Sequence, residues 1–200
     1  MQGHDQKEQD TTKLNRRKFL TRAGAGLVIA SLPAKSVWAS QNLCQLNSIV
    51  ASCHGSDFAG GKRISLKSSG FFGNAGKGSQ ASDGFGIGDK TFFDIFHGYP
   101  LPTVDLSGTN KTLETLTIKD VVTVNNKKFH GEEQVNRFMV ATYLNAIFHG
   151  SHQDIFFPVI GSSPTFTNAD DLANYLYESA TLNPTGFGLE LKMMFAEFGK

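Results

Sequence analysis

The chain lacks an apolar run of transmembrane length, and it has a single tryptophan. The first absence argues against a membrane span in the mature part, and the second leaves much of the core to the 17 phenylalanines. No concentrated basic face is present either. Residues 1–39 hold seven Lys or Arg against three Asp or Glu, which leaves 12 against 15 in residues 40–200, an acidic excess of three. A nucleic-acid partner normally needs a basic stripe, so none is expected. With two cysteines and no C-x-x-C-H, c-type haem is disfavoured.

Familiar catalytic patterns are missing as well. No Gly-x-Ser-x-Gly elbow exists for a serine hydrolase, and no Glu lies between His149 and His152 in zinc-protease fashion. Gly76-Lys77 is no phosphate loop, because Phe71 stands where an earlier glycine is required and Gly78 where Ser or Thr is required. Residues 83–94 have the length of a calcium loop, yet Phe85 and Ile87 occupy positions that need oxygen ligands. Residues 84–88 lack the preceding strand and following helix of a dinucleotide fingerprint. The balance leans against an enzyme.

What is present begins with an export pattern. Asn15-Arg16-Arg17-Lys18-Phe19-Leu20 resembles the twin-arginine signal of bacteria, with Arg16, Arg17, Phe19 and Leu20 as its motif residues. A moderately apolar segment at 23–32 follows, then Pro33, Lys35 and Val37-Trp38-Ala39, with small residues suited to cleavage after Ala39. Residues 1–39 are therefore expected to be a signal peptide, with the twin-arginine translocase as partner during export and a periplasmic, cell-surface or extracellular destination. Cys44 and Cys53 then meet an oxidising compartment, and a disulfide between them is expected. A metal or haem site at Cys53-His54 is the competing reading.

The organising element is residues 132–149, the longest strongly periodic run. Val135, Phe138, Met139, Ala146 and Ile147 follow one helical face, and Val140, Leu144 and Phe148 supply a second beside it. The spacing predicts a helix buried on most of its circumference. Only Gln134, Arg137, Ala141 and Asn145 form a polar or small stripe. Thr91, Thr117 and Thr167 each precede an Asp by three residues, a capping-box spacing that predicts helices over 92–97, 118–123 and 168–180. Pro184 bars continuation of the last, and 189–198 reads as a final helix. Residues 64–66 are a candidate short strand. Eleven glycines between residues 55 and 98, interleaved with phenylalanines, read as irregular loops pinned by aromatic anchors.

With these elements placed, Gly70-Phe71-Phe72-Gly73-Asn74, Thr91-Phe92-Phe93, residues 117–122, Arg137, Ala141, Leu144, Asn145, Ala146 and Phe157-Pro158 resemble a family of secreted bacterial domains. That family has a Gly-Tyr-Trp-Lys-Asn-His-like opening and an Arg-x-x-x-Ala-x-Leu-Leu-Asn-Ala helix. The resemblance implies a shared fold over about residues 70–180 and brings no established activity with it. This sequence departs at the opening, where Phe72, Gly73 and Ala75 replace the Trp, Lys and His. Arg137 and Asn145, about 80° apart around the helix with Ala141 between them, are expected as a structural polar pair. Asn145 would bond loop backbone, and Arg137 would pair with a carboxylate.

The expected architecture is mainly α. It comprises the signal at 1–39, a disulfide-bearing segment at 40–69, and one small helical domain at 70–200 with a central buried helix, several short helices and a Gly/Phe-rich irregular N-terminal half. The expected function is a non-enzymatic interaction or structural domain of the periplasm or cell surface, with an unidentified protein or surface partner and no cofactor. The alternative is a transition-metal-binding protein or metal-dependent enzyme. It would use His149, His152 and Asp154, with His97 or His130 as further ligands for zinc, copper or nickel.

Overall fold

The computed structural model describes residues 49–50, 52–53, 62–73, 86–102, 104–152, 154–161 and 165–200, all within one unit, Trp38–Lys200. Arg16, Arg17, Phe19, Leu20, Ala39, Cys44 and His54 lie outside the described residues. The α-helices follow in the order α1 Ser69–Gly73, α2 Phe92–Phe96, α3 Ile118–Val122, α4 Val135–Ile147, α5 Ala169–Leu182 and α6 Pro184–Phe198. This is a mainly α domain, and among the described residues no helix is long and apolar enough to cross a membrane.

Local chemistry sets most helix starts. Thr91 and Thr117 each form a reciprocal capping box with Asp94 and Asp120, so α2 and α3 begin where the hydroxyl accepts an otherwise orphaned N–H. The third box slides by one residue: Asn168 is the cap of α5, and Asp171 answers it. Thr167 still donates its hydroxyl to the Asp171 carboxylate, one residue beyond the Asp170 that its spacing picked out. Asn183 ends α5 and caps α6, and Pro184 stands in the first turn, where its missing N–H costs nothing. α6 therefore starts five residues before the spacing predicts. Gly188, which weakens the helical signal in the sequence, is there for packing. A Cβ on it would come 3.1 Å from the Glu133 Cβ.

The periodic run 132–149 folds in two pieces. A 3-10 turn, Glu132–Gln134, precedes α4, and the chain turns through Glu133 (φ 44°) and Gln134 (φ 62°) between them. Within α4 only Arg137 and Ile147 are not buried, which is why its apolar residues cover more than one face. α4 packs against α1, α3, α5 and α6, and α2 packs on α5. The aromatic content goes inward: Phe72, Phe92, Phe96, Phe157, Phe166 and Phe187 are fully buried, and Phe138 of α4 stacks on Phe195 of α6 at 5.5 Å. Each such ring contributes about 1.5–3 kcal/mol by leaving water. Phe93 is the one exposed phenylalanine among the described residues.

No strand forms at 64–66. Among the described residues, β-structure is limited to isolated bridges, Ser65 with Phe156, Leu66 with Gly199 and Thr91 with Thr117. The ladder stops at Lys67 because its N–H donates to Asn145 Oδ1 (2.7 Å) and its carbonyl accepts from Asn145 Nδ2 (2.9 Å). A side-chain amide from the central helix stands where a neighbouring strand would be.

Candidate functional site

Between α3 and α4 the chain makes two tight turns, Lys127–Phe129 and Glu132–Gln134. Asn136, fully buried, holds them in place. Its Oδ1 accepts from the Leu101 N–H (3.0 Å), its Nδ2 donates to the Phe129 carbonyl (3.3 Å), and its own N–H donates to the His130 carbonyl (3.0 Å). Gly131 at φ 72° joins the two turns, and a Cβ there would come 2.8 Å from Asn136 Nδ2. The turns and the first turn of α4 border a half-open hollow of about 360 Å³ lined by Val124, Lys127, His130, Gly131, Gln134 and Arg137.

The lining is cationic and contains no carboxylate. Arg137 donates from Nη1 to Gln134 Oε1 (2.7 Å), while its Nε is buried with no hydrogen-bond partner. Burial pulls the guanidinium below its ordinary value, although it stays charged at any working pH. The His130 ring is almost wholly buried and donates from Nε2 to the Thr123 carbonyl (3.0 Å), since a carbonyl can only accept. Burial lowers the His130 pKa; the Thr123 bond opposes this, and the Arg137 and Lys127 charges add to the lowering. It is therefore neutral at pH 7. The two acids of the same turn point elsewhere: Glu132 Oε2 accepts from Thr185 Oγ1 (2.6 Å), and Glu133 Oε2 lies 3.6 Å from Lys192 Nζ, both partners on α6. Positive charge is thus left unneutralised on the hollow side.

The structure disperses the other expected site residues. Asp154 pairs with Lys67 Nζ at 2.9 Å, His152 Nδ1 accepts from the Asp154 N–H (3.4 Å) with its ring edge-on to Phe71, and His149 Nδ1 accepts from the Phe157 N–H (3.2 Å). Among the described residues no three His, Cys, Asp or Glu side chains form a group that could hold a metal. His97 caps α2 in a left-handed conformation, and Cys53 is buried. Asn145 bonds loop backbone, as described above, but Arg137 meets Gln134 where a carboxylate was expected. The two residues serve different parts of the molecule. Lys127 lines the hollow, and Asn136 carried no signal separating it from a surface asparagine. The available clue was an arginine inside an otherwise apolar helical run.

Comparison with protein-family models, with curated proteins and with solved structures found no match for this chain.

Proposed function

We propose that this chain is an exported, non-enzymatic binding domain of the bacterial periplasm or cell surface, and that its contact site for an anionic group is the hollow at the start of α4. Export rests on the Arg16-Arg17-Lys18-Phe19-Leu20 pattern and on the small residues ending at Ala39. Binding rests on one observation: the lining carries Arg137, Lys127 and His130 and no acid. The same lining supplies no nucleophile, and its one histidine is tied to a carbonyl, so it suits holding a negative charge better than transforming a substrate. In the oxidising compartment Cys44 and Cys53 are proposed to form a disulfide.

Two measurements test this. Expression of the full chain in a bacterium with an active twin-arginine translocase should place it in the exported fraction, and Arg16→Lys with Arg17→Lys should hold it in the cytoplasm. Unchanged export of the double variant would remove the first half of the reading. For the second half, sodium phosphate added at constant ionic strength should raise the melting temperature of the exported protein and leave that of Arg137→Met unmoved. An equal rise in both would remove the hollow as the contact site.

A further inference from the structure

Two aromatic rings that burial would stabilise are left facing water on α2 and the chain just after it. Phe93 is 43% exposed and Tyr99 42%, while Phe92 and Phe96 of the same helix are fully buried. The two exposed rings meet, with centroids 5.2 Å apart and planes tilted by 38°. Such a pair is attractive in itself, yet nearly half of each residue stays uncovered.

The backbone holds this pair in place from both sides. His97 ends α2 in the left-handed region (φ 54°) and turns the chain back, so that Tyr99 reaches Phe93. Gly98 follows, and a Cβ there would run into the Tyr177 ring. Tyr177, on α5, donates its hydroxyl to the Tyr99 carbonyl (3.1 Å). Beyond Tyr99, Pro100 is buried and the Leu101 N–H donates to the buried Asn136 Oδ1 (3.0 Å). A ring fixed in this way before a ligand arrives loses little freedom on binding.

The surroundings of the pair are polar. The Tyr99 hydroxyl has no partner among the described residues. Asn174 and Thr181, both exposed, stand three residues before and four after Tyr177, on its face of α5, whereas Glu178 lies about 100° further round. Asp94, the acid of α2, has a carboxylate oxygen committed to the Thr91 N–H (3.0 Å). Two rings side by side do not enclose a quaternary ammonium as an aromatic cage does. Apolar ring faces bordered by hydroxyl and amide groups complement a body that has an apolar C–H face and hydroxyls around its edge. A pyranose with equatorial substituents is such a body. Its axial C–H bonds meet the negative face of an aromatic ring, and its hydroxyls radiate in the plane.

We propose that Phe93 and Tyr99 form a stacking platform for an oligosaccharide of equatorially substituted pyranoses, glucose-type or N-acetylglucosamine-type, with the Tyr99 hydroxyl, Asn174 and Thr181 bonding its hydroxyls. The platform is separate from the hollow at the start of α4 and stands whether or not that hollow takes an anion. NMR titration of the purified protein compares cellohexaose, N-acetylchitohexaose, sorbitol, tetramethylammonium and a hexaproline peptide. One or both oligosaccharides should bind with a dissociation constant on the order of 1 mM or below. Sorbitol, which has the hydroxyls without a ring face, should not bind. Phe93→Ala and Tyr99→Ala should each weaken oligosaccharide binding about tenfold, and Tyr99→Phe, which keeps the ring, by about threefold or less. Met193→Ala, at a comparably exposed apolar position on α6, should leave it unchanged.

Failure of both oligosaccharides to bind at millimolar concentration, or equal binding of sorbitol, would overturn the proposal. Tighter binding of tetramethylammonium or of hexaproline would make the platform a cation or polyproline site and remove the glycan. Parental affinity in a Tyr99→Ala protein that melts like the parent would put the sugar elsewhere, and Phe93→Ala answers the same question if Tyr99→Ala does not fold. The phosphate measurement on the hollow is read independently, so either site can fail without the other.

Discussion

Asn145 and Arg137 stand eight positions apart on α4, and the physics of their surroundings separates them. Asn145 is fully buried with its amide satisfied three times, by the Lys67 N–H, the Lys67 carbonyl and the Ala141 carbonyl. Asn145→Ala leaves two Lys67 backbone groups without a partner in a part-buried site, so a loss of about 2–3 kcal/mol is expected from urea denaturation. Arg137 is the opposite case. Its buried Nε gains nothing from the fold, so Arg137→Met should change stability by less than about 1 kcal/mol, or raise it. A loss at Arg137 as large as that at Asn145 would mean that the guanidinium is structural and that the hollow owes its cations to folding rather than to a ligand. The sequence exposed both residues on one stripe, but it could not tell which had partners, because those partners lie 78 positions away for Asn145 and three for Arg137.

At the scale of the element, the start of α4 is the costly feature. An uninterrupted helix over 132–149 would satisfy periodicity and the helix dipole, which favours Glu132 and Glu133 in a first turn. The chain instead breaks at Glu133 and Gln134, and α4 begins at Val135. The break turns the two glutamates toward Thr185 and Lys192 of α6 and leaves Gln134 and Arg137 on the hollow. Glu133→Gly should relieve the left-handed strain and raise stability by up to about 1 kcal/mol in chemical denaturation, since the Lys192 pair it removes is exposed and weak. A loss instead would show that the Glu133 side chain holds the kink. The short helices behave more locally. α2 and α3 start at their capping threonines because the cap needs only neighbours three residues away, and α5 differs by one residue because Asn168 caps it while Thr167 bonds only the Asp171 carboxylate.

For the whole molecule, titration should show two steps. His130 has its folded pKa lowered by burial, so the unfolded chain takes up a proton first, near pH 6.5, and stability present above that value is lost as pH falls toward the lowered one. Asp94, through its bonds from Thr91, and Asp171, through those from Thr167, sit below the usual carboxylate value. Asp120 does too, where burial opposes the lowering but the Lys111 and Thr117 bonds outweigh it. Their contribution is present above about pH 4 and disappears below it as the folded carboxylates are protonated. Urea denaturation at pH 8, 5.5 and 3.5 should therefore give falling stability, and His130→Gln should flatten the fall from pH 8 to 5.5. A rise in stability from pH 8 to 5.5 in the parent would show that His130 is not held neutral.

The sequence by itself determined what depends on neighbours along the chain: helix type, the threonine caps of α2 and α3, the stop at Pro184 and the burial of most of α4. Periodicity of 3.6 and a hydroxyl three residues from a carboxylate are local signals, which at α2 and α3 packing left in place. Tertiary structure decided which polar groups meet. Lys67 finds Asn145, Glu132 finds Thr185, and Arg137 comes to line a hollow with Lys127 and His130. Those outcomes depend on how α1, α3, α5 and α6 close around α4, and on a kink that opposes the local preference. Long-range contacts of that kind leave no period in the sequence to read.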